Sequence, residues 1–147
     1  MGVTLHFQGK VESVDNRKSL ISELEDICKD MKWDYNLLDE DDNVEGIVIS
    51  VDKGCDPLPF LFDKTGKLCS VSTLVAFEED ADYKYYVSVK TQFTTLDAHI
   101  AIIKLLKYIK RKYINDLNVT DEGKYWETED KNLLEFRSRS ENWARHR

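Results

Sequence analysis

Between Val3 and Gln8 the side chains of an extended chain fall alternately on two sides, Val3, Leu5 and Phe7 on one and Thr4, His6 and Gln8 on the other. A period of two suits a strand with one buried and one wet face, so the chain opens inside a sheet and Gly9 ends the run. TLHFQG matches the protease-tag remnant ENLYFQG only in part, and a scar has no reason to keep the alternation. The period returns in YKYYVSVKTQF, where Tyr83, Tyr85, Val87, Val89 and Phe93 oppose Lys84, Tyr86, Ser88, Lys90 and Gln92. This is the clearest strand in the sequence.

Two other stretches carry a helical period. Leu20, Ile21, Leu24, Ile27, Cys28 and Met31 form one apolar stripe, which predicts a helix over about 16–32 capped by Ser13 or Asp15. Thr94 opens the second helix with a Thr-x-x-Asp capping pattern to Asp97, and Ala98, Ala101, Ile102, Leu105, Leu106, Ile109 and Tyr113 build its stripe. A thiol inside such a stripe, as Cys28 is, acts as a small apolar side chain.

Turn chemistry joins the rest. Trp33, Tyr35 and Leu37 alternate before an acidic cluster, Asp39 to Asp42, and the β-rich Gly46 to Val51, which predicts a hairpin. The cluster lacks the glycine and glutamate of a calcium loop, since Val44 and Ser50 stand at those positions. Asp63-Lys64-Thr65-Gly66 predicts a second hairpin in which Asp63 faces Gly66 and Phe60 faces Cys69, while Pro57 and Pro59 confine the first arm to an edge or a strand entrance. Leu117 to Val119 and KYWET read as two further strands, and a last helix starts near Asp130.

This order predicts an α+β fold: one single-domain antiparallel sheet, mostly a meander, with two long helices packed on one face and a short C-terminal helix. The domain spans residues 1–137, and 138–147 form a polar, Arg-rich tail. At 147 residues one core suffices. Three cysteines without a C-x-x-C pair fit neither a disulfide framework nor a zinc site, so they are expected to be reduced, in a cytoplasmic protein. No apolar run is long enough for a membrane span, and a net charge of −7 opposes non-specific nucleic-acid binding. No metal or other cofactor is expected, because no phosphate loop, nucleophile elbow or metal motif occurs.

Three places can carry chemistry. The wet sheet face brings His6 together with Tyr86 and Gln92, mixing aromatic and polar groups as open binding faces do, although such a face is ordinarily just solvated. Near the start of the long helix, Gln92, Thr94 and His99 could contact a carboxylate or phosphate, since backbone N–H groups there favour anions; the bland alternative is a cap and a boundary histidine. In GKYWETED, Trp126 and Glu127 set an aromatic beside a carboxylate, which suits either a small pocket or a hairpin over the core. Lys104, Lys107, Lys110, Arg111 and Lys112 crowd the second half of the long helix, where the macrodipole favours cations.

Val89 to Tyr113 with Asp121 to Leu134 resembles a family of small uncharacterised bacterial proteins, over less than a third of the chain. That family has no catalytic signature to carry over, and the resemblance only directs attention to His99, Trp126 and Glu127. Two functions follow as expectations. The first is a non-catalytic module that binds a small anionic ligand or a protein partner, with a homodimer allowed. The alternative is a small enzyme with His99 as general base and Glu127 nearby, which requires those two side chains to converge.

Overall fold

The computed structural model describes residues 3–38, 44–70, 85–91 and 95–145, with side chains as far as 139. Gln92, Thr94 and the acidic stretches at 39–42 and 78–82 lie outside the described residues. The elements are β1 (Thr4–Gln8), α1 (Val14–Met31), β2 (Asp34–Leu38), β3 (Glu45–Ser50), β4 (Leu58–Phe62), β5 (Leu68–Cys69), β6 (Val87–Lys90), α2 (Leu96–Lys112), β7 (Asn118–Asp121), α3 (Tyr125–Thr128) and α4 (Lys131–Arg145). The fold is α+β with antiparallel sheets, as the patterning requires.

The strands divide into two sheets where the sequence led to one: β6-β1-β7 and β2-β3-β4-β5. The second is the predicted meander. In the first, β1 lies between partners from the far half of the chain, with Leu5 opposite Val89 and Asp121. No local signal selects such partners.

Both sheets close over one core. Leu5, Phe7, Val87 and Val89 from the first meet Ile47, Ile49, Leu58, Phe60 and Phe62 from the second, with Leu20, Leu24 and Cys28 of α1 and Ile102, Leu106 and Ile109 of α2. The Phe7 and Phe60 rings lie 5.9 Å apart and bind the two layers directly. Each such side chain contributes about 1.5–3 kcal/mol of burial, so the sheets are held together mainly by shared apolar surface.

Three local corrections have physical causes. Ser13 caps α1, but α2 is capped by Thr95, whose Oγ1 accepts from Ala98 N at 3.1 Å, one residue after the predicted Thr94. Three residues, not two, lie between the paired ends of the β4–β5 turn, Asp63 and Lys67: Gly66 N donates to Asp63 O and Asp63 N to Lys67 O, with Gly66 at φ +91°. A turn closed by a left-handed glycine shifts the register by one, so Leu61 faces Cys69 and Phe62 faces Leu68. KYWET is not a strand but the single-turn α3, because the Asp121 carboxylate captures Trp126 N at 2.9 Å and curls the chain. The C-terminal helix runs to Arg145, well into the predicted tail. No helix among the described residues is long and apolar enough to cross a membrane.

A backbone strap joins the two sheets just past β1. Leu68 N donates to Gly9 O at 3.0 Å and Val11 N to Gly66 O at 2.8 Å, which sets Lys10 opposite Lys67. Beneath it, buried Arg17 donates to Asp63 O and Glu12 O and faces Glu45 at 3.6 Å.

Candidate functional site

His99 sits inside the protein, 2% exposed. Its Nε2–H donates to the Asp121 carboxylate at 3.2 Å, and Nδ1 shares a 2.6 Å hydrogen bond with Thr91 Oγ1. Asp121 also accepts from Gly123 N at 2.8 Å and Trp126 N at 2.9 Å. Burial alone would raise the Asp121 carboxyl, but the bond and charge of His99 and the two backbone N–H groups together hold it below its ordinary value. The anion expected at the start of the long helix is thus supplied by the protein itself. This cluster ties β1, through Thr91 and Val3 O, to α2, β7 and α3.

Glu127 is exposed and its Oε2 accepts from Lys124 Nζ at 3.4 Å, while the side-chain partners of the buried His99 are Thr91 and Asp121. Trp126 lines an open groove of about 450 Å³ with Lys107, Lys110, Arg111 and Asn115. Two of these cations already have work in the fold. Lys110 donates to Asn115 O and Leu117 O beyond the end of α2, and Lys107 lies 5.4 Å from the Trp126 ring centre while donating to Glu129.

The wet face of β6-β1-β7 is different in kind. Because β1 and β6 are neighbours, His6 stacks on Tyr86 with ring centres 5.2 Å apart and planes 10° from parallel. Nε2–H of His6 donates to Glu122 at 3.1 Å, and Nδ1 shares a 2.9 Å hydrogen bond with Ser88 Oγ, directly opposite across the strands. Tyr86 is 43% exposed, and Ser88, Lys90, Gln8 and Thr120 are exposed beside it. At the Gln8 end the face runs into a cleft of about 300 Å³ lined by Lys10, Lys67, Tyr85, Asp116 and the paired Gln8 and Asn118.

The structure therefore brings His6 and Tyr86 together and buries His99, while Trp126 has Lys107 over its ring and Glu127 accepts from Lys124. Sequence reasoning missed Thr91 and Asp121 as partners of His99, and Lys10, Lys67 and Asn118 as neighbours of Gln8. Only the Asp-x-Gly spacing at Asp121, typical of a side-chain-capped turn, was a readable local signal. These features define an α+β fold with an open polar sheet face among the described residues. Comparison with known families, with curated proteins and with solved structures returns no match.

Proposed function

We propose that this chain is a non-catalytic binding domain for a small anionic ligand, taken up on the open face of β6-β1-β7, and that it acts in the cytoplasm. One observation carries the reading: exposed polar and aromatic side chains of all three strands converge around His6 and lead into a cleft with two lysines. Such a surface offers a ring to lie against, donors to orient a ligand and positive charge at one end. The burial of His99, with both ring nitrogens engaged, supports binding over general-base catalysis, since a base must reach the proton it takes. The free thiols of Cys28 and Cys55 support a reducing compartment.

Native mass spectrometry of freshly purified protein tests this and reports subunit number at once. The expected result is a retained small acidic molecule, displaced in the Tyr86→Ala variant. A bare chain, with no adduct before or after incubation with a cytosolic small-molecule extract, overturns the reading.

A further inference from the structure

We propose that the cleft at the Gln8 end of this face is a phosphoryl site, in which Lys10 and Lys67 with the amides of Gln8 and Asn118 hold a small phosphate monoester. The inference rests on the anion-binding reading above and names the ligand's class and seat.

The first ground is an unfavourable pairing that the fold enforces. Lys10 and Lys67 are directly opposite on an antiparallel bridge, an arrangement that is destabilising for like charges. Slippage cannot separate them, because backbone bonds from Leu68 N to Gly9 O and from Val11 N to Gly66 O bracket the pair. Gly66 also lies so close that a Cβ there would meet Val11 O at 2.0 Å. An anion between the two ammonium groups turns this repulsion into a binding contribution.

The second ground is the lining. Lys67 Nζ lies 4.7 Å from the Tyr85 ring centre, and the Lys10 ammonium has Glu12 at 3.4 Å, on a side chain largely in solvent. Asp116 supplies the one carboxylate of the lining, and its Oδ1 already accepts from Lys10 N at 3.3 Å. Within the lining two cations stand against the single carboxylate of Asp116, with Glu12 outside it on the solvent side of Lys10. Gln8 and Asn118, cross-strand partners, add neutral N–H donors.

The third ground is the match between donors and acceptor. Lysine binds phosphate as a point charge, whereas planar carboxylate recognition favours the arginine fork. A phosphate monoester carries about −1.5 to −2 charge and three acceptor oxygens. That suits two ammonium groups plus two amides, whereas a monocarboxylate offers only two coplanar oxygens to the same four donors. A cleft of about 300 Å³ is at the small end for ligand sites, which favours a phosphorylated small molecule over a bulky one.

Calorimetric titration of the full chain in chloride buffer, with methyl phosphate, inorganic phosphate and acetate as probes, tests the site. Expected are saturable binding of both phosphates, weaker binding of acetate, and a loss of about tenfold or more in the Lys10→Gln/Lys67→Gln variant, as for a lost charged contact. As a folding control, Lys67→Gln in phosphate-free buffer melts at or above the wild-type temperature, and phosphate raises the wild-type value more than the variant's. Equal phosphate affinity in wild type and double variant overturns the cleft but leaves an anion-binding face intact. Acetate binding as tightly as methyl phosphate overturns the phosphoryl assignment. Absence of heat with every probe overturns the site, and the native mass spectrum then decides separately on the wider reading.

Discussion

Asp121→Ala removes the acceptor shared by two buried donors, His99 Nε2–H and Gly123 N–H, and one partly buried donor, Trp126 N–H. Each buried donor left without a partner costs about 1–3 kcal/mol, and the strand end and α3 can relax to let water reach some of them, so a loss of about 3–5 kcal/mol is expected. Against a total stability of about 5–15 kcal/mol that is a large fraction. Asp121→Asn is the informative control. Its amide oxygen can keep Gly123 N–H, and its NH2 can donate to His99 Nε2 if the imidazole changes tautomer and donates from Nδ1 to Thr91, whose hydroxyl then donates to Val3 O. Only the Trp126 N–H contact is then lost, at about 1–2 kcal/mol. Urea unfolding at pH 7 measures both. Because the Asp121 carboxyl is held below its ordinary value when folded, its contribution is complete above that value and fades as pH falls through the lowered one. The gap between wild type and Asp121→Asn should therefore narrow in acid. If Asp121→Ala unfolds within about 0.5 kcal/mol of wild type, as an ordinary surface substitution does, the cluster does not pin these elements and the reasoning is wrong.

Glu23 accepts from Tyr108 OH, from Tyr113 OH at 2.5 Å and from Lys112 Nζ at 2.9 Å, and these bonds lower its carboxyl from 4.5 to about 2. Glu23→Gln should cost about 1 kcal/mol at pH 7, a cost that shrinks between pH 4.5 and 2 as the wild-type carboxylate protonates; urea midpoints across that range check it. Gly66→Ala forces a side chain into a left-handed turn and against Val11 O, so calorimetric melting should show a loss of more than about 1 kcal/mol. Burial pushes the thiols of Cys28 and Cys55 up to about 11 and about 12, so both should react slowly with Ellman's reagent at pH 7.5 until the protein is unfolded.

What the sequence determined by itself is whatever a few neighbouring residues can encode. The alternation from Val3 to Gln8 specifies a strand and its greasy side, and the stripe through Leu20, Leu24 and Cys28 specifies a helix with its buried face, leaving only the choice of cap between Ser13 and Asp15 to the structure, which takes Ser13. The pairing of His6 with Tyr86 on one wet face was also legible, because period-two patterns in β1 and β6 assign both to the same side once the strands are adjacent. The turn at Asp63 to Gly66 was visible, but its left-handed glycine decided the register by a single residue. Tertiary structure alone chose the neighbours: β1 between β6 and β7, the division into two sheets, Asp121 beneath His99, and Lys67 across from Lys10. The reason is physical, since a hydrophobic period says which side of an element must leave water but not which distant surface will cover it. That choice is made by closing long loops over a common core, and the polar groups that meet at its margin are a consequence of the closure.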